Sequence, residues 1–217
     1  MITLLMHDLT LYLKNIKEAI YLYVYFVAII TFFIFGFSAE SGREYAAAIL
    51  FVALITSLLL AAPLLFEREA EEGRLDYLRL LPLSLELVVI ARYLACYLVF
   101  VLPILALVPP AGMLLQIAPS AWAGVTLLLA LAGALILALI VMASAMTAGL
   151  NNHAGLIGLM VLPLMIPLVI FGVGAMQMII LTTADHDSGQ IVFLAALTFF
   201  ILPLTLFVSA ACLRVSG

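Results

Sequence analysis

The sequence predicts an all-α, polytopic membrane protein with six transmembrane helices, and three observations predict it. Of its 217 residues 68% are hydrophobic and only 9% charged, a balance that no soluble core of this length needs. The apolar residues fall in repeated runs of about 20 or more, the length that carries a helix across roughly 30 Å of hydrocarbon. The charges sit between those runs, where they avoid a medium that satisfies no polar group.

Taken in order, residues 1–18 come first. Leu5, Leu9, Tyr12 and Ile16 recur at helical spacing, with His7, Asp8, Lys14 and Lys17 elsewhere on the wheel. This pattern predicts an interfacial helix lying on the membrane and leading into the first span. The spans are expected at Ala19–Ala39, Tyr45–Phe66, Leu85–Pro109, Ala121–Leu150, Ala154–Leu181 and Ile191–Leu213, with 1–217 forming a single domain. The first run is too long for a signal peptide's apolar region, and Phe37 occupies the small-residue position before Ala39, so cleavage is not expected.

Lys and Arg counts orient the chain. Lys14, Lys17, Arg68, Arg74, Arg79, Arg92 and Arg214 fall on one side, and Arg43 alone on the other. Cytoplasmic loops retain basic residues, so both termini are expected in the cytoplasm. The outer connections carry Glu40, Glu44, Asp185 and Asp187 instead.

The spans themselves are poor in chemistry. Spans one, two, four, five and six have no acidic or basic residue in their interiors, which argues against a proton- or sodium-coupled transporter. Glu86 and Arg92 stand near the start of span three, where the arginine is expected to snorkel to the headgroups. Ala130, Ala134 and Ala138, then Ser144 and Ala148, recur every four residues and let helix backbones approach, either within the bundle or between subunits. Span five contains Pro163 and Pro167, one turn apart, and a kink or break is expected there.

Cys96 and Cys212 lie within spans and give no disulfide framework. His7, His153 and His186 are scattered, and no Cys or His accompanies the methionines at ligand spacing. No metal, haem or other cofactor is therefore expected on this chain. The phosphate-cradling G-x-x-x-x-G-K-[ST] loop is absent, so the chain is not expected to be an enzyme, and any ATP use belongs to a partner.

The remaining feature is the stretch FEREAEEGRLDYLRLLPLS, residues 66–84. Five of the twelve acids lie within residues 67–76. Leu75, Leu78 and Leu81 follow at a spacing that shares one helix face. A negative segment on the cytoplasmic side is repelled by anionic lipid. Two readings fit: a solvated loop kept out of the bilayer, or a helix over 67–81 that docks a protein.

This stretch resembles the loop between spans two and three of type-2 ABC exporter permeases. More narrowly, Phe66, Glu69, Glu72, Gly73, Leu75, Asp76 and Leu78 fall on the F-x-x-D-x-x-D-G-S-L-E-Q-L motif of the cytochrome c maturation permeases, the haem exporter protein B family. LLPL, VLPLMIPLVIFGVGAM, the chain length and the six spans are similar too. Arg74 and Tyr77 depart from the motif's Ser and Gln, and the acids at 69, 72 and 76 exchange Asp and Glu.

The resemblance implies that 67–81 is a cytoplasmic coupling helix docking a separate ABC ATPase (CcmA-like), which binds the ATP. It implies a second permease copy or companion subunits (CcmC- and CcmD-like) and a haem chaperone, with haem handled by the complex. The setting implied is the bacterial inner membrane, with membrane lipids around the spans and no nucleic acid. A type-2 exporter of lipid, polysaccharide or drug shares the loop pattern. A structural membrane subunit without energy coupling is the third reading, and it predicts that charged substitutions at Gly73 and Leu75 are without effect.

Overall fold

The computed structural model describes residues 6, 8–12, 16–36, 39–65, 84–147, 153–181 and 189–215. Among these residues there is no strand, and the chain is a bundle of apolar helices. The first is α1 (Ile16–Gly36), followed by the short α2 (Ala39–Glu44) and α3 (Ala46–Leu59). After the segment 66–83 come α4 (Leu85–Cys96), α5 (Leu102–Ala106) and α6 (Val108–Leu114). Three long helices close the bundle: α7 (Trp122–Thr147), α8 (His153–Leu181) and α9 (Gly189–Val215).

Five helical stretches are long and apolar enough to cross a membrane, and α3 is a shorter apolar helix. The span expected over Tyr45–Phe66 is thus a 14-residue α-helix, rising about 21 Å, continued by a 3-10 turn at Ala62–Leu64. Pro63 sits in that turn; its fixed φ and missing N–H end the α-helical ladder. Most of α3 is buried against its neighbours, so its short length is set against protein and not against lipid.

At the centre stands α7, whose Leu135–Val141 stretch is buried throughout. It packs on α9, α8, α3 and α4. Lipid-facing surface is left on α1 (Tyr21, Phe32, Phe35), α8 (Leu159, Ile170) and α9 (Phe199, Phe200, Phe207), all exposed. Two positions of the four-residue stripe, Ala130 and Ala134, make contacts within the bundle. Tyr93 Oη donates to the Ala134 carbonyl at 3.0 Å and Tyr97 Oη to the Ala130 carbonyl at 3.2 Å, which the small side chains leave accessible.

The interruption predicted at Pro163 and Pro167 does not occur as a break: both lie inside one continuous α8. Both are exposed, so each ring meets the bundle's outer face. The distortion lies in span three instead. There α4 passes into a π turn at Tyr97–Val101, then α5 with Pro103, then α6 with Pro109 and Pro110. Pro103 has no N–H to give the Val99 carbonyl four residues earlier; the Tyr23 hydroxyl of α1 donates to that oxygen.

A measurable coupling follows. Tyr23→Phe removes a donor to a buried carbonyl and is expected to cost about 1 kcal/mol. In a Pro103→Ala background, where a backbone N–H is restored, the same change is expected to cost clearly less. Equal thermal-midpoint losses in both backgrounds would refute the link between the proline and the tyrosine.

Candidate functional site

The motif residues Phe66, Glu69, Glu72, Gly73, Leu75, Asp76 and Leu78 lie outside the described residues. The structure does describe what holds both ends of their segment. On the entering side Leu65 is fully buried. Its carbonyl accepts a hydrogen bond from Arg92 Nη1 at 2.9 Å. On the leaving side Ser84 is extended (φ −67°, ψ 141°) and starts α4, its carbonyl accepting from the Leu87 and Val88 amides at 3.0 and 3.3 Å.

Arg92 is the main departure from expectation. Instead of snorkelling outward it is 4% exposed, on the inward face of α4, with Nε 3.8 Å from Asp8 Oδ2. Asp8, placed by the wheel among the polar positions of an interfacial helix, is 6% exposed. The helical residues 8–12 thus turn one side into the bundle. Tyr12 continues that side, its ring edge-on to Phe100 with centroids 5.4 Å apart.

The physical reason is that a guanidinium in so apolar a site needs both a countercharge and hydrogen-bond acceptors. Asp8 supplies the charge and the Leu65 carbonyl an acceptor. Three segments remote in sequence therefore meet at one buried cation. A fourth lies nearby, since Ser144 Oγ of α7 donates to the Ala62 carbonyl at 3.2 Å.

A second tie closes this end of the bundle. Arg214 Nη2 of α9 lies 2.5 Å from Glu86 Oε1 in the first turn of α4. Each charge suits its helix terminus, acid at the start and base at the end. Among the described residues, residues 8–12, the end of α3, the start of α4 and the end of α9 therefore share one pole. Arg43 and Glu44 meet the end of α8 at the other: Arg43 Nη2 donates to the Ile180 carbonyl and Gln177 Nε2 to the Glu44 carbonyl, each at 3.4 Å.

Sequence reading located the acidic segment but missed the clamp on the residue that precedes it. The available signal was a pair of charges of opposite sign, Asp8 in the N-terminal segment and Arg92 within the third apolar run. Among the described residues no group of three or more His, Cys, Asp or Glu is placed to hold a metal ion.

Around Arg92 the arrangement is a buried, ion-paired junction at Leu65, the residue that directly precedes segment 66–83. The family model described as CcmB protein matches residues 1–216. "Heme exporter protein B" of Paracoccus denitrificans is 35% identical over 195 residues, covering 88% of each chain. The protein of that name from Pseudomonas aeruginosa is 33% identical, covering 89% of this chain and 86% of its own. That of Escherichia coli K12 is 35% identical over 88% and 87%. With the match running through almost the whole length and through both anchor points of the acidic segment, the chain belongs to the CcmB family.

Proposed function

We propose that this chain is the membrane permease subunit of a haem-export and cytochrome c maturation complex. It couples ATP hydrolysis in a separate ABC ATPase to haem delivery or to release of a haem-loaded chaperone. The observation that carries the proposal is the junction of Leu65, Arg92 and Asp8, at the residue that directly precedes the acidic segment. A load on that segment enters the bundle at a buried, ion-paired residue, where it reaches α3, α4 and the N-terminal helix together.

In this reading residues 67–81 form the coupling helix. Leu75 and Leu78 enter a groove on the ATPase, while Glu69, Glu72 and Asp76 meet basic residues at its rim. Gly73 relaxes the backbone between the acidic and apolar halves. The pole holding Asp8, Arg92 and Arg214 faces the cytoplasm of the bacterial inner membrane, and the Arg43 pole faces outward, following the Lys and Arg distribution. A second copy of the permease or companion subunits and the haem chaperone complete the assembly.

The test is affinity capture from mild detergent with partners identified by mass spectrometry. Wild type is expected to retain an ATPase and haem-maturation proteins. A Glu72→Lys, Leu75→Asp variant is expected to retain the membrane partners and lose the ATPase at least about tenfold, as loss of a hot-spot contact does. Equal capture by both would overturn the docking role. An ATPase recovered with no haem-handling protein would overturn the maturation assignment and point to another exporter.

A further inference from the structure

At the Arg43 pole lies a cavity of about 320 Å³. It is enclosed by α2, the turn before α7, the first turns of α7 and α9 and the last turn of α8, and among its walls are Arg43, Ser120, Gly124, Leu127, Ile179 and Ile191. Among the described residues its walls contain no carboxylate. Gly124 keeps it open, since a Cβ there would stand 3.0 Å from the Ile179 side chain.

The chemistry is that of an anion receptor on an apolar floor. Arg43 Nη2 donates to the Ile180 carbonyl, which fixes the guanidinium at the mouth. The fork has five N–H donors, so the others remain for a ligand. Ser120 adds a hydroxyl from the exposed turn, and Leu127, Leu128, Ile179 and Ile191 line the rest. A small hydrated anion gains nothing from such walls; an anion joined to hydrocarbon gains on both counts.

Depth in the membrane selects between anionic amphiphiles. Trp122 follows the cavity turn directly, its indole Nε1 donating to the Ile117 carbonyl at 3.1 Å. It is the only tryptophan in the chain, and tryptophan settles at headgroup level with its ring toward the hydrocarbon. The cavity therefore opens at headgroup depth. We propose that it binds the phosphate of an anionic phospholipid, with Arg43 and Ser120 on the headgroup and an acyl chain leaving past Leu127 and Ile191.

Native mass spectrometry of the purified full-length protein tests this with phosphatidylglycerol, phosphatidylethanolamine of the same chains, and inorganic phosphate. Wild type is expected to keep phosphatidylglycerol under activation that strips phosphatidylethanolamine. Arg43→Gln is expected to reduce the retained fraction about tenfold, as loss of a charge-assisted hydrogen bond does. Ser120→Glu, a change on the exposed turn that leaves the fold alone, is expected to do the same by placing a negative charge at the mouth. Retention unchanged in Ser120→Glu, or equal retention of the two lipids, would overturn the proposal. Inorganic phosphate raising the thermal midpoint as much as phosphatidylglycerol would make this a site for free anions and overturn the lipid assignment.

Discussion

Arg92→Ala is expected to lose about 3–5 kcal/mol of stability, the largest effect of any single substitution in the described bundle. Removing the guanidinium leaves Asp8, 6% exposed, as a buried carboxylate without its cation. The Leu65 carbonyl loses its donor as well. The expected readout is a monodisperse detergent peak that collapses or a thermal midpoint that falls steeply. Arg92→Met combined with Asp8→Asn removes both charges at nearly constant volume. That pair is expected to recover most of the loss, because replacing a buried ion pair by neutral groups costs far less than breaking it. A wild-type midpoint for Arg92→Ala would remove Asp8 and Leu65 from the account of this junction.

Second in size is Gly172→Leu, which acts where α8 crosses α3. Even a Cβ at Gly172 would lie 2.3 Å from Phe51 Cζ and 2.7 Å from its Cε1. Phe51 is fully buried, so its ring cannot swing away and the helices must separate. Overpacking of this kind costs about 1–3 kcal/mol, and leucine belongs at or above the upper end. Gly172→Ala is expected to be milder, and pairing it with Phe51→Leu, which shortens the opposing side chain, should restore much of the loss. If the pair is no better than the single change, the crowding lies elsewhere.

Much of the fold was legible because it rests on composition and length. The apolar runs announced the long helices, and those found differ from the expected spans by a few residues at their ends. What stayed hidden depends on which way a helix faces. Asp8 belongs to a segment whose other charges suit a membrane surface and Arg92 shares its helix with Glu86, and a sequence does not say that the two turn toward each other. Proline shows the same limit from the other side. Pro163 and Pro167 predict an interruption, yet α8 runs through them, while Pro103 lies beside the π turn. A proline's effect is decided by whether the carbonyl it deprives finds another donor, and for Val99 that donor, Tyr23, comes from a different helix.

The acidic segment illustrates a third case. Its charge and its leucine spacing were readable, and they posed the question of a partner. The answer to why that partner would matter came from the anchor points. Leu65 and Ser84 hold the segment's two ends, and the first is gripped by Arg92. The segment's charge and leucine spacing are local features, whereas the contacts that hold its entry point come from residues far from it in sequence.

The π turn in span three also bears on how this chain tolerates changes in length. A single residue removed from an α-helix rotates everything beyond it by about 100°, turning a buried face toward lipid. Tyr97–Val101 is wound more loosely, with the Leu102 amide reaching back to the Tyr97 carbonyl, so it already holds one residue more than an α-helical turn of the same reach. Dropping one residue there tightens the turn to α geometry and leaves Tyr93 and Ile104 facing as before. Among the long helices, span three is thus the place where a homologous chain can be one residue shorter and still present the same two faces to the bundle.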